Sequence, residues 1–95
     1  MLELDPLVHA PARLQLLTTL SAVSEAEFVT LRAVLKVSDS VLSKNLSALT
    51  GAGYVRVRKG VRAGRRTTWV SLTNAGRTAL RDHVTALRQL IDAVD

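Results

Sequence analysis

The stretch Ser38 to Gly53, Ser-Asp-Ser-Val-Leu-Ser-Lys-Asn-Leu-Ser-Ala-Leu-Thr-Gly-Ala-Gly, leaves little choice of local structure. Leu42, Leu46 and Leu49 follow i, i+4, i+7 spacing, which places them on one side of an α-helix. Ser40, Lys44 and Ser47 then fall on the opposite side, with Ser43 on the flank. Ser38 or Asp39 can cap the first free N–H groups, and Gly51 and Gly53 can end the helix. The outward face is therefore short-chained, polar and lightly basic. Two readings fit it. One is a solvated face. The other is a face built for close approach to base-pair edges, with a lysine to attract phosphate.

The neighbouring charge separates those readings. The chain carries +5 overall, but Lys36 to Arg66 holds eight basic residues and one acid, a net +7. The remainder has five basic and seven acidic residues, a net −2. Charge segregated in this way argues for a polyanionic partner. At 95 residues and 47% apolar content the chain is one domain with material for a core. It has no cysteine, so disulfides and thiolate metal sites are excluded, and a reducing cytoplasmic location is expected. The longest charge-free runs, Leu14 to Ser24 and Asn45 to Val55, are 11 residues each and too short to span a bilayer, so no membrane partner is expected. The opening Met-Leu-Glu-Leu-Asp-Pro does not read as a signal peptide.

In chain order, Leu2 to Pro6 is a lead-in, with Asp5 capping and Pro6 suited to a first turn. A helix is expected over residues 6–20, either kinked at Pro11 or starting afresh at Ala10–Pro11. Leu7, Leu14 and Leu17 form one apolar stripe, and Leu16 and Leu20 a second. Two stripes suggest two packing partners, the domain's own core and another chain. His9 reads as an ordinary surface or interface residue. Ser24-Glu25-Ala26-Glu27 has the form of a capping box, predicting a helix to about Lys36 that buries Phe28, Leu31 and Leu35. A start nearer Val29, with Phe28 extended, is the alternative. Lys36-Val37-Ser38 then turns into the serine-faced helix, making residues 24–53 a helix-turn-helix.

Tyr54-Val55-Arg56-Val57-Arg58 alternates apolar and basic residues as a strand does. Thr67 to Leu72 is a second strand, rich in β-branched and aromatic residues. Lys59 to Arg66 is expected as a glycine-containing loop between them, so residues 54–72 form a hairpin with a basic tip. Trp69 reads as hairpin packing. Thr73 caps a last helix over residues 74–94, in which Leu80, Val84, Leu87, Ile91 and Val94 are spaced 4, 3, 4, 3. That seam is read as a dimer interface, together with Leu7 and Leu14 of the first helix. His83 beside it is read as structural.

This order of elements resembles the winged-helix DNA-binding domains of bacterial transcriptional regulators, specifically the short single-domain branch of the MarR/ArsR-related group. The stretches that carry the resemblance are Ala12 to Leu17, Val37 to Leu46, Leu49 to Val55 and Trp69 to Arg77. Asn45 stands where the family commonly has histidine, and Asn74 where it commonly has proline. The resemblance implies an α+β, mostly α, winged helix-turn-helix over residues 1–95, with a two-stranded wing and a C-terminal dimerisation helix. It implies a homodimer on a pseudo-palindromic operator in double-stranded DNA, with half-sites ~34 Å apart; a regulator that represses by occluding a promoter is the leading expectation, although the sequence does not give the sign of regulation. Carried onto this chain, the DNA contacts are Ser38, Ser40, Ser43, Lys44 and Ser47 from the recognition helix. Lys59, Arg62, Arg65 and Arg66 are the contacts from the wing.

Catalysis is not expected. There is no cysteine, the two histidines have no recognisable motif around them, and the eight acids show no metal-binding spacing. No cofactor or metal follows. A small-molecule effector would have to bind between the first and last helices at the dimer interface, and the sequence names none. A different class of function, a winged helix that docks protein instead of DNA, remains as the alternative.

Overall fold

In a computed structural model, which describes residues 4–94, eight elements follow one another along the chain. They are α1 (Pro6–His9), α2 (Pro11–Ser21), β1 (Ala26–Glu27), α3 (Phe28–Leu35), α4 (Asp39–Gly51), β2 (Val55–Arg62), β3 (Arg65–Leu72) and α5 (Asn74–Val94). The three strands form an antiparallel sheet in the order β1-β3-β2. The fold is the α+β winged helix that the sequence led one to expect. Of the lead-in, Leu2 and Glu3 lie outside the described residues.

The first helical segment is two helices, since the chain starts afresh at Pro11 instead of kinking. Pro11 has no N–H to bond back into α1, and it suits the first turn of α2. Asp5 caps α1, accepting from the Leu7 N–H at 2.9 Å.

The capping box does not form. Ser24 lies outside any helix, and Ala26–Glu27 pairs with Val70 and Trp69 of β3 as a short strand. Glu27 sits at the N-cap position of α3 without a side-chain cap bond, because its carboxylate is occupied by the wing. The extended segment suspected near Phe28 is therefore real but one step earlier, and Phe28 opens α3. Leu31 is buried, and Phe28 and Leu35 pack half-buried against the core. Lys36 then takes a left-handed backbone, φ 56°, that turns the chain into α4.

The wing is longer and tighter than expected. Lys59 to Arg62 and Arg65–Arg66 are strand residues, paired up to Arg62↔Arg65. Only Ala63 and Gly64 remain as the turn, with φ of 52° and 76°. Positive φ at both central residues is the geometry that matches strand twist in two-residue hairpins. The expected eight-residue loop is thus a ladder.

One core unites Val8, the α2 leucines Leu16, Leu17 and Leu20, Leu31, the α4 stripe Leu42, Leu46 and Leu49, then Val55, Val70 and Leu80. Leu80 had been read as part of a seam facing another chain, and it is spent on the protomer's own core, as is Leu17. The reason is geometric: α2 is surrounded by α3, α4, α5 and the sheet, so both of its stripes face inward. Thr73 caps α5 as expected, its hydroxyl accepting from the Gly76 N–H at 3.0 Å and donating to the Gly53 carbonyl at 2.6 Å. Gly76 is required there, because a Cβ would overlap the Tyr54 carbonyl oxygen.

Candidate nucleic-acid interface

The candidate surface begins with the capping of α4. The Ser38 hydroxyl accepts from the Val41 N–H at 3.2 Å and lies 3.2 Å from the Ser40 hydroxyl. Asp39 does not cap; it pairs with Arg32 of α3 at 2.6 Å, bracing the two helices against each other. Leu42, Leu46 and Leu49 anchor the inner side, and Ser40, Ser43, Lys44 and Ser47 are all exposed. Asn45 bonds back to the Val41 carbonyl at 3.1 Å and accepts from Arg13 at 3.4 Å, so it faces α2 rather than the open surface.

The strand period sorts the wing into two faces. Directly paired residues of an antiparallel ladder share a face. Val57, Val70, Lys59, Thr68, Val61 and Arg66 therefore lie on the side of α4, and Arg56, Arg58, Trp69, Thr67, Arg62 and Arg65 on the other. The first side closes a concavity with α4. Ser43, Ser47 and Thr50 line it from α4, and Val57, Lys59 and Thr68 from the wing, with Phe28 and Leu46 at its floor. A neighbouring hollow continues along Lys59, Val61 and Arg66 towards the tip. The structure thus brings Ser43, Ser47, Lys59 and Arg66 to one side of the molecule. Thr50 belongs with them and was missed, although it follows Ser43 and Ser47 at i+7 and i+3, so the same helical arithmetic could have found it.

Arg62 and Arg65 point to the other face of the hairpin, beside the turn. The wing is also less free than a run of six basic residues without an acid suggests. Glu25 accepts from Arg58 at 2.7 and 3.1 Å, and Glu27 accepts from Arg62 and, at 3.1 Å, from the Thr67 hydroxyl. The hydrogen bonds from Arg58 hold the Glu25 carboxyl below its usual range and raise the guanidinium in turn. Arg58 also lies over Trp69, 5.4 Å from the ring centroid, which makes Trp69 a packing residue of the hairpin. Among the described residues, Lys44, Lys59, Arg65 and Arg66 have no carboxylate within ion-pair distance.

The seam of α5 divides. Leu80 is buried, and Leu7, Leu14 and Val84 pack half-buried against the core. Leu87 is half-buried, whereas Leu90, Ile91 and Val94 are 46%, 66% and 88% exposed. Between α1 and α5, His9 and His83 meet, Nδ1 to Nε2, at 3.2 Å, and the Asp5 N–H donates to His83 Nδ1 at 3.3 Å. The Tyr54 hydroxyl donates to the Asp5 carboxylate at 3.1 Å, and burial together with that carboxylate raises the phenol. Sequence spacing could not join two histidines 74 positions apart.

Among the described residues no group of three or more His, Cys, Asp or Glu side chains could hold a metal ion, and no helix is long and apolar enough to cross a membrane.

Residues 12–91 match the sequence model of a family described as a winged helix DNA-binding domain. An uncharacterised protein of Methanocaldococcus jannaschii is 30% identical over 82 residues, covering 86% of this chain and 89% of its own. A transcriptional regulator homologue from Pyrococcus horikoshii superposes with a TM-score of 0.88 at 27% identity, over 94% of this chain and 88% of that one. A transcriptional regulator of Mycobacterium tuberculosis, MOSR, solved in complex with DNA, superposes at 0.73 and 27% identity, over 94% of this chain and 63% of that one.

Proposed function

This chain belongs to the winged helix DNA-binding domain family, and from that membership we propose that it is a transcriptional regulator that reads double-stranded DNA as a homodimer and represses by occluding a promoter. The observation that carries the reading is the shared concavity of α4 and the wing, where Ser43, Ser47 and Lys59 line one surface. Short hydroxyl side chains let the helix backbone approach base edges in a major groove, and the unpaired cations meet phosphates. Ser40, Ser43 and Ser47 are the proposed base-edge contacts, with Thr50 added to them. Lys44, Lys59, Arg65 and Arg66 are the proposed phosphate or minor-groove contacts. Ser38 presents backbone N–H groups at the start of α4, where the helix dipole favours an anion.

The second copy is proposed to pack along the far part of α5, where Leu87 is half-buried and Leu90, Ile91 and Val94 are exposed. Paired recognition helices would meet a pseudo-palindromic operator with half-sites ~34 Å apart. The solved complex of the similar Mycobacterium regulator with DNA supports the choice of partner. Work in the cytoplasm follows from that role.

A salt titration of duplex binding tests the reading. Each neutralised phosphate contributes about 0.9 to the slope of log affinity against log salt. Lys44→Ala should weaken binding and flatten that slope by about one phosphate per protomer, with an unchanged melting temperature. So should the paired change Arg65→Ala and Arg66→Ala, by up to two. Folded variants that bind duplex as tightly as the parent would overturn the proposed surface and favour a protein-docking role.

A further inference from the structure

We propose that Glu27 is a positioning residue that withholds Arg62 from DNA phosphate, and so sets how many phosphates each wing neutralises. The inference rests on the reading of the chain as a duplex binder. It differs from a simple carry-over of wing arginines, which counts Arg62 as a contact.

Three observations carry it. Arg62 is the last residue of β2, beside the turn, with its side chain 68% exposed, so it stands where a wing cation would meet DNA. Its guanidinium is nevertheless bonded to the carboxylate of Glu27, whose side chain is only 13% exposed. The other Glu27 oxygen accepts from the Thr67 hydroxyl at 3.1 Å. Glu27 is thus fixed from two sides: its backbone pairs with Trp69 in the sheet, and its side chain is held by the hairpin.

The asymmetry of exposure decides where Arg62 stays. If Arg62 left for a phosphate, it would exchange one oxyanion for another and gain little. Glu27 would lose its counter-charge and keep a single neutral hydroxyl as donor, and a carboxylate set against the sheet without a counter-charge is costly. Glu27 therefore occupies the place a phosphate would take. Lys59, Arg65 and Arg66 have no such internal anion among the described residues. The fold sorts otherwise similar basic residues into an engaged one and free ones.

A charge-matched pair of variants tests this on the full chain with a mixed-sequence DNA duplex as probe. Glu27→Gln keeps the shape and the Thr67 hydrogen bond but releases Arg62. It should bind more tightly at low salt, with a slope steeper by about 0.9 per protomer. The double variant Glu27→Gln, Arg62→Gln removes both charges and should restore the parental affinity and slope. A Glu27→Gln slope equal to that of the parent overturns the proposal. So does a double variant with a flatter slope than the parent, because Arg62 would then already be a phosphate contact. A weaker Glu27→Gln variant with an unchanged slope would assign Glu27 a role in wing geometry alone and also overturns it. Circular dichroism melts of both variants establish that they fold. Failure of the parent protein to bind duplex at any salt would instead sink the DNA-binding reading itself, and Lys44→Ala separates the two cases: it flattens the slope even if Glu27 has no effect.

Discussion

His83 shows how much one side chain can depend on neighbours that the sequence keeps far away. It is 1% exposed, it accepts the Asp5 N–H at Nδ1, and its Nε2 faces His9. Nδ1 can accept from the Asp5 N–H only while it carries no proton, so that bond is made only by a neutral His83 ring. Burial lowers the His83 pKa from its ordinary 6.5, His9 lowers it further, and Asp5 opposes them. The sign of the consequence follows. The unfolded chain takes up a proton near pH ~6.5 that the folded chain refuses, so stability is complete above that pH and declines as pH falls below it. The melting temperature should therefore drop between neutral pH and the acid side of the histidine range. His83→Gln should remove that part of the slope, whatever its effect at neutral pH. An identical slope in the variant would show that His83 takes up its proton alike in the folded and unfolded chain. The sequence marked His83 as structural, which it is, but the partner that makes it pH-sensitive came from α1.

At the scale of the element, the wing is where the sequence was least legible. Lys59 to Arg66 carries glycines at 60 and 64, arginines, and no continuous alternation, the marks of a loop. It folds as strand because pairing with Thr67 and Thr68 and the bond from Arg62 to Glu27 hold it, with Arg58 just before it held by Glu25, interactions that no local pattern records. A two-stranded ribbon is marginal by itself. Here β1, with its Glu27 and the preceding Glu25, braces it. The turn then becomes the point of strain. Ala63 holds φ 52°, a region that costs an L-residue with a plain Cβ about 1–2 kcal/mol and asparagine less. Ala63→Asn should stabilise the protein by roughly 0.5–1 kcal/mol in urea unfolding, without altering duplex affinity. Loss of stability in that variant would mean that the turn is not of the double positive-φ kind. The helix-turn-helix, by contrast, was readable almost residue by residue, apart from its entry. The capping-box pattern at Ser24 was present, but β1 claimed Ala26 and Glu27 for the sheet, so tertiary pairing overrode a local signal.

The whole molecule is elongated, 53 × 25 × 21 Å, with a radius of gyration of 14.4 Å. A compact chain of this length has one of about 12 Å. The excess comes from two projections, the wing and the far half of α5. The latter ends in Leu90, Ile91 and Val94, all exposed. Contiguous apolar side chains left open on a projecting helix mark a surface that associates. Ile91→Glu combined with Val94→Glu should abolish the proposed dimer in sedimentation while leaving far-ultraviolet dichroism intact. Duplex affinity for a palindromic site should fall by ~100-fold or more, because two half-sites no longer act together. A variant that still sediments as a dimer would place the interface elsewhere.

Local pattern and charge were enough to determine four of the five helices in outline, the serine-faced side of α4, the existence of a hairpin and the attraction to a polyanion. These depend on periodicity, caps and counts, which a linear chain carries in full. Only the tertiary structure decided which leucines of α2 and α5 belong to the core, because that depends on which elements surround a helix. It alone paired His9 with His83, and it alone folded Glu25 and Glu27 of the acidic part onto Arg58 and Arg62 of the basic part. Charge can be summed along a sequence, but whether a given arginine is free depends on distances of a few ångströms across the fold.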